Sequence, residues 1–263
     1  MSKKRVALAV LLTVVLVVSV GMEARRQIQY RENAAAYDDA VQIAGLAKVQ
    51  GSRPEEIDMD VTDEFPPVEE ESVLLADVDL EALQAVNPDV LGWISIPDTT
   101  ISYPLLQTDD NRYYLRHNWK NESNKGGAVV LDASCASDFS DYHTIVYAHR
   151  MQDGSMFGSL SNYDDAAYWQ AHPSVYVRVS DEVRRYDIFA AHEASVKGVV
   201  YRLDMEESGL EEEFLRTCLE QSVLETGILP EKNAPVLTLS TCTETGYAKR
   251  WVVQALLCDV SVR

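Results

Sequence analysis

The stretch VLTLSTC, residues 236–242, is an apolar and β-branched run that ends in a thiol. Seven residues follow it, and Arg250 then opens a second apolar run at residues 251–257. If the two runs pair as an antiparallel hairpin, the end of the first lies beside the start of the second. The sequence therefore predicts that Cys242 and Arg250 are neighbours at the mouth of a loop.

These two residue types together suit nucleophilic chemistry. A guanidinium beside a thiol favours the thiolate, which is the nucleophilic form. The same guanidinium can stabilise the oxyanion that forms when a thiolate attacks a carbonyl group. Cys242 is therefore a candidate nucleophile, and Arg250 is a candidate electrostatic stabiliser.

Acyl transfer from an amide also needs a group that protonates the leaving amine. His149 is the best placed of the five histidines, because it follows an apolar run at residues 144–147 and precedes a turn at residues 150–154. Such a position on a strand rim can hold a side chain that is both fixed and exposed. The spacing alone leaves the choice open, since a rim histidine is more often only solvated or hydrogen-bonded.

Outward from this hairpin, short apolar runs rich in β-branched residues are separated by turn residues, a pattern that favours strands. Eight such runs predict a mainly β fold, either a barrel or a sandwich. Asp79 is expected to cap a short helix at residues 80–86, and residues 204–226 predict an amphipathic helix inserted before the Cys-bearing strand. The predicted strands cover residues 92–96, 101–106, 128–131, 144–147, 174–179, 185–191, 236–241 and 251–258.

The N-terminus has the pattern of a membrane signal-anchor. Basic residues at positions 3–5 precede an apolar run at positions 6–22, which is at the short end of what spans a bilayer. The basic cluster predicts a single-pass membrane protein with a cytoplasmic N-terminus and an exported remainder. A cleaved signal peptide is the alternative, although no Ala-x-Ala site is present.

Three segments are expected along the chain: a signal-anchor at residues 1–22, a stalk and linker at 23–72, and a catalytic domain at 73–263. The composition of residues 23–50 favours a helix, either as a stalk or lying against the domain. Residues 51–72 combine prolines with many acidic side chains, which is typical of a solvated linker.

The overall composition excludes several classes of function. A formal net charge of -19 over 263 residues argues against nucleic-acid binding, which requires a basic surface. The four cysteines form no CxxC pair, and no histidine lies at zinc-finger spacing from them, so we expect no structural zinc, no other metal site and no cofactor. Apart from Cys242, the cysteines (Cys135, Cys218 and Cys258) are expected to be buried small hydrophobic residues.

The order of several short motifs resembles that of the sortases. The motif LSTC at residues 239–242 is followed by Arg250, and YAH at residues 147–149 lies upstream. Further similar stretches are NPDVLGWI at 87–94, the glycine pair at 126–127 and GSMF at 154–157. The TLSTC form and the helical insertion resemble the class B group in particular. This resemblance implies an eight-stranded sortase-type β-barrel with a Cys–His–Arg site.

The resemblance also implies a mechanism and partners. Cys242 would attack the threonine carbonyl of a C-terminal sorting motif on a surface protein, with His149 as the proton-transfer partner and Arg250 holding the oxyanion. The acceptor would be an amine of a peptidoglycan precursor or of a pilin, at a Gram-positive-type cell surface. Residues that match the substrate groove of class B relatives are Asn111, Leu115, Tyr147 and Ser240, with Tyr201 as a looser match.

Two other functions fit parts of the pattern. An L,D-transpeptidase also uses an exported cysteine and histidine, but it surrounds the cysteine with a Ser-x-Gly-Cys pattern that this chain lacks. A non-enzymatic exported β-domain, such as an adhesin or scaffold, would make Cys242 an inert buried thiol. Reactivity of the Cys242 thiol distinguishes this last alternative from an enzyme.

Overall fold

The computed structural model describes residues 3–46, 68–205, 209–243 and 246–262. For residues 3–10, 68–70, 242, 243, 246 and 247, only the backbone is described. Most of the predicted acidic linker, residues 51–67, lies outside the described residues.

Eight strands close into one barrel in the order β1-β2-β3-β4-β7-β8-β6-β5, so the barrel form is the correct one of the two predicted β folds. All eight predicted strands are confirmed. The two longest exceed their predicted bounds, because β6 and β8 pair with each other along nearly their whole length. The strands are β1 (Val90–Ser95), β2 (Ser102–Leu106), β3 (Val129–Leu131), β4 (His143–Tyr147), β5 (Ser174–Val179), β6 (Glu182–Ser195), β7 (Val236–Thr243) and β8 (Gly246–Val262).

The sheet contains both parallel and antiparallel pairs. The parallel pairs determine which strand ends lie at the same rim of the barrel. Strands β4 and β7 run parallel, and β7 and β8 form the predicted antiparallel hairpin. Val146, Leu239 and Val253 are direct partners across these three strands, and all three are fully buried. Burying each such side chain contributes about 1.5–3 kcal/mol. This apolar row holds the three strands in register just below the rim that carries the candidate site.

The described helices lie around the barrel rather than inside a separate layer. Asp79 caps one of them as predicted, since its Oδ1 accepts a 2.9 Å hydrogen bond from the backbone N–H of Ala82. The predicted insertion contains a helix between β6 and β7, and its Phe214 and Cys218 are buried against the barrel wall. The helices are α1 (Lys3–Ile43), α2 (Val68–Ala76), α3 (Leu80–Val86), α4 (Ala166–Ala171) and α5 (Glu211–Gln221).

The second half of α1 packs against the barrel. Ala36, Tyr37 and Ala40 are buried there, and the indole N–H of Trp119 donates a 2.6 Å hydrogen bond to the carbonyl oxygen of Ala36. Of the two arrangements expected for this segment, the helix lying against the domain is the one observed. Helix α1 therefore contributes side chains to the same hydrophobic core as the strands.

The N-terminal part of α1 bears on the predicted membrane anchor. Within the described part of the chain, no helix is both long and apolar enough to cross a membrane. The signal-anchor predicted for residues 1–22 stays a prediction, and the side chains of residues 1–10 lie outside the described residues.

The prediction for the other cysteines is confirmed for two of them. Cys135 and Cys218 are buried free thiols, and burial raises the pKa of Cys135 to about 12. The prediction is wrong for Cys258, which is a free but exposed thiol. The reason is its position near the end of β8, where the strand runs past the buried part of the wall and its residues become solvent-exposed.

Candidate active site

Strands β4 and β7 end at the same rim because they run parallel and side by side. Tyr147 at the end of β4 pairs with Ser240, and the backbone N–H of Ala148 donates a 3.3 Å hydrogen bond to the carbonyl oxygen of Ser240. His149 comes two residues after Tyr147, and Cys242 comes two residues after Ser240. Adjacent strands lie about 5 Å apart, so the fold brings the backbones of both residues to one edge of the barrel.

Arg250 reaches the same edge from the other side of β7. Cys242 and Arg250 are direct partners in the β7–β8 ladder, as the hairpin pattern predicts. Arg250 is half-buried, and its Nη1 donates a 2.9 Å hydrogen bond to the carbonyl oxygen of Lys249. Cys242 and Arg250 therefore lie side by side near the connection between β7 and β8, and His149 follows the end of the neighbouring strand β4.

The imidazole of His149 has a fixed orientation. Its Nε2 lies 2.8 Å from the carbonyl oxygen of Leu115. Because a carbonyl oxygen only accepts hydrogen bonds, Nε2 is the nitrogen that carries the proton in this contact.

The other four histidines lie within the described residues and are placed differently. His143 is fully buried, with Nδ1 against the carbonyl oxygen of Arg202 and Nε2 against Oγ1 of Thr238, and burial lowers its pKa to about 4. Burial also lowers the pKa of His192. The remaining two bond to backbone carbonyl oxygens, at Tyr113 for His117 and at Pro97 for His172.

A cleft of about 570 Å³ opens beside His149. Leu115, which is 43% exposed, lines it together with residues of α1 and of the segment between β2 and β3. Its wall carries charges of both signs, from Glu32 of α1 and from Arg116 and Lys125. This cleft gives the imidazole direct access to a molecule from solvent.

Two of the predicted substrate-binding residues donate hydrogen bonds to the same carboxylate, which was not predicted from the sequence. Asp132 is buried at the end of β3, and its Oδ2 accepts 2.9 Å hydrogen bonds from the amide of Asn111 and from the hydroxyl of Tyr147. Its Oδ1 accepts a third hydrogen bond from the backbone N–H of Ser134. Burial, followed by the Asp132 charge, raises the pKa of Tyr147. The sequence feature that could have indicated Asp132 is an acidic residue directly after an apolar strand.

The fourth predicted residue, Ser240, is held from the opposite side. Its Oγ lies 2.7 Å from the hydroxyl of Tyr201, and Ser240 is buried whereas Tyr201 is half-buried. Tyr201 was the looser sequence match, and it stands in a short 3₁₀ helix, Val199–Tyr201, before α5. Tyr201 and Asp132 thus fix the two members of the Tyr147–Ser240 pair.

Comparison with known proteins decides the family. The sortase domain model matches residues 94–258, which is more than half of the chain. The chain belongs to the sortase family. Sortase B of Listeria monocytogenes is 38% identical over 181 residues, covering 68% of this chain and 74% of that protein.

Solved sortase B structures agree with this assignment. The Bacillus anthracis sortase B complexed with AAEK1 has a TM-score of 0.70 at 28% identity, covering 88% of this chain and 99% of that one. The Staphylococcus aureus sortase B–substrate complex has a TM-score of 0.71 at 22% identity, with the same coverage, and shows the shared fold. This sortase is therefore class B-like, and it is a cysteine transpeptidase with the expected eight-stranded barrel.

Within the described residues, no group of three His, Cys, Asp or Glu side chains is close enough to hold a metal ion. Cys135 and Cys218 are buried and have raised pKa values, which makes them poor nucleophiles.

Proposed function

We propose that this sortase cleaves a C-terminal sorting motif after threonine and joins the cleaved protein to an amine of a cell-wall precursor or a pilin. One observation supports the proposal: Cys242 and Arg250 are direct partners in the β7–β8 ladder, and His149 follows the end of β4, which pairs in parallel with β7. Membership of the sortase family makes the L,D-transpeptidase and the non-enzymatic alternatives unnecessary.

In the first step, the Cys242 thiolate attacks the threonine carbonyl carbon, so that an S–C bond forms and the carbonyl oxygen becomes an oxyanion. The Arg250 guanidinium donates hydrogen bonds to this oxyanion and lowers the barrier. The C–N bond then breaks, and His149 gives its proton to the leaving amine. The products are a thioacyl-enzyme and the released downstream peptide.

In the second step, an acceptor amine attacks the thioacyl carbon. His149, now neutral, takes the proton that the amine loses, and the C–S bond breaks to restore the thiolate. With Nε2 held by the Leu115 carbonyl oxygen, Nδ1 is the nitrogen that exchanges protons in both steps. The Leu115 contact then persists through the cycle, since both nitrogens carry protons in the imidazolium form.

We also propose that Asn111, Leu115, Tyr147 and Ser240 bind the sorting motif. The hydrogen bonds of Asp132 support this assignment because they hold Asn111 and Tyr147. Tyr201 does the same for Ser240, the strand partner of Tyr147. A fixed wall lowers the entropy lost when a peptide binds. The S. aureus neighbour, which has the same fold, was solved as a substrate complex.

The site of action is proposed to be the outer surface of a Gram-positive-type cell, with the catalytic domain outside the membrane. The family relationship supports a surface-associated role. Single-pass attachment by residues 1–22, with a cytoplasmic N-terminus, rests only on the sequence pattern of basic residues before an apolar run.

The test is product analysis with the full chain in detergent, synthetic peptides that carry varied Thr-Gly and Thr-Asn motifs, and triglycine as acceptor amine. The proposal predicts cleavage after threonine and a new amide bond between threonine and triglycine. Cys242→Ala is the control and should give neither product. Cleavage at another bond, or equal turnover by Cys242→Ala, would refute the proposal.

A further inference from the structure

Helix α1 touches the glycine pair that precedes β3. The hydroxyl of Tyr37 donates a 2.7 Å hydrogen bond to the carbonyl oxygen of Gly127. The neighbouring Gly126 lies against the amide of Asn33 so closely that a Cβ on Gly126 would be 2.7 Å from Oδ1. The backbone of the glycine pair is therefore clamped by one face of α1.

The opposite side of Gly127 faces the catalytic histidine. A Cβ on this residue would lie 3.1 Å from Cδ2 of His149 and 2.5 Å from the carbonyl oxygen of Tyr114. Its φ of +61° is also in the left-handed region that favours glycine. The backbone of Gly127 is thus a wall against which the His149 ring rests.

The same segment supplies another contact of the His149 ring. Leu115, whose carbonyl oxygen holds Nε2 of His149, follows Tyr114 directly. The backbone N–H of Ala128, next to Gly127, donates a 3.0 Å hydrogen bond to the carbonyl oxygen of Tyr114. One hydrogen-bonded piece of backbone therefore bounds the imidazole both at its edge and at Nε2.

We propose that Tyr37 of α1 is a positioning residue for His149, acting through the Gly127 carbonyl. The proposal rests on the catalytic role of His149 proposed above. The hydroxyl anchors Gly127, Gly127 bounds the ring, and the Leu115 carbonyl fixes the protonated nitrogen. Through this chain of contacts, the N-terminal helix sets the direction in which the proton-exchanging nitrogen points.

The environment of Tyr37 suits this task. Its ring is buried and makes an edge-on contact with Tyr103, with ring centroids 5.0 Å apart. Burial raises the pKa of Tyr37 well above its ordinary value, so the hydroxyl stays a neutral donor over the working pH range. Because the ring is held by packing, removal of the oxygen alone leaves the helix docked.

The test compares Tyr37→Phe with Tyr163→Phe in the full chain. Tyr163 is a matched control, since its buried hydroxyl donates a 2.7 Å hydrogen bond to the carbonyl oxygen of His172, away from the β4 end. We expect Tyr37→Phe to lower kcat about tenfold, because a small misplacement of a catalytic group is costly, with KM within about twofold. Tyr163→Phe should keep kcat within about twofold of the parent, with a similar change in Tm.

A second measurement does not depend on turnover. NMR titration of the His149 ring should show altered chemical shifts and an altered pKa in Tyr37→Phe, but not in Tyr163→Phe. The inference is overturned if the two variants give the same kcat and the same His149 titration. If the parent protein forms no acyl product, the proposed function fails instead, and the NMR comparison of the two variants still decides the role of Tyr37.

Discussion

A histidine lies at or just beyond each end of strand β4, and the two histidines have different environments. His143 begins the strand, is fully buried, and has both ring nitrogens engaged by Arg202 and Thr238. His149 lies just beyond the other end, is half-buried, and lines a cleft. Position on the rim therefore separates a histidine that can exchange protons with a ligand from one that stabilises the fold.

Replacing each of the two histidines with alanine in turn should give the largest difference between them. His149→Ala should lower the rate of acyl transfer by about 10²–10⁴, since it removes the general acid and base, with little change in Tm. His143→Ala should keep transfer, but it should lower the free energy of unfolding by about 2–3 kcal/mol, because it leaves Thr238 with a lost partner and opens a cavity.

Steady-state kinetics and urea unfolding measure these two effects. Loss of transfer in His143→Ala with unchanged stability would contradict the division of roles.

The cysteines should show the same contrast between a reactive residue at the rim and an unreactive buried residue. Alkylation of native protein by iodoacetamide should reach Cys242 about a thousand times faster than Cys135, whose pKa of about 12 leaves very little thiolate. Arg250→Ala should slow the reaction at Cys242, because the guanidinium favours the thiolate. Peptide mapping of the alkylated protein measures each rate, and alkylation in denaturant provides the control in which Cys135 and Cys218 also react.

A pH titration sharpens the contrast between the histidines. His143 has a pKa of about 4 in the folded protein and about 6.5 in the unfolded chain. As the pH falls, His143 is therefore protonated in the unfolded chain at a higher pH than in the folded protein. The stabilising contribution of neutral His143 is therefore complete above pH 6.5 and is lost as the pH falls towards 4. The expected loss is about 2–3 kcal/mol across this window.

Urea unfolding at several pH values checks this expectation. His143→Gln should flatten the slope of the free energy of unfolding against pH between pH 6.5 and 4. A parent-like slope in His143→Gln would assign the pH dependence to other groups.

The smallest expected effect concerns the wall of the proposed substrate groove. Asp132→Asn keeps the shape of the side chain but replaces an acceptor with a donor where Asn111 and Tyr147 both donate. We expect KM for the sorting peptide to rise about tenfold with kcat within about threefold, as one or two charge-assisted hydrogen bonds are lost.

Asp165→Asn is the control for Asp132→Asn, because the Asp165 carboxylate accepts a hydrogen bond from the backbone N–H of Ala167 at the start of α4. Equal KM values for the two variants would argue against a role of Asp132 in ordering the groove.

Much of this arrangement could be predicted from local sequence. The hairpin that pairs Cys242 with Arg250 follows from two apolar runs and a short connection, because such strands pair with their sequence neighbours. The cap at Asp79 and the helix inserted before β7 also depend only on nearby residues. Choosing His149 among five histidines was different, since it depended on the order of motifs that resembles sortases.

Long-range contacts account for what the sequence did not reveal. The parallel pairing of β4 with β7 joins segments about ninety residues apart, and no local pattern specifies such a pairing. The same holds for Asp132, which gains its role only when Asn111 and Tyr147 fold onto it. Tyr37 looked like one aromatic residue in a helical segment, and only the folded chain places its hydroxyl against Gly127.

The most direct test of the central claim is mass spectrometry of the full chain after incubation with a sorting peptide in the absence of acceptor amine. The account predicts an acyl adduct, of the mass of the peptide portion ending in threonine, on the fragment that contains Cys242. The adduct should be absent from Cys242→Ala and strongly reduced in His149→Ala. An adduct on Cys258 or on another fragment, or continued turnover by Cys242→Ala, would contradict the account.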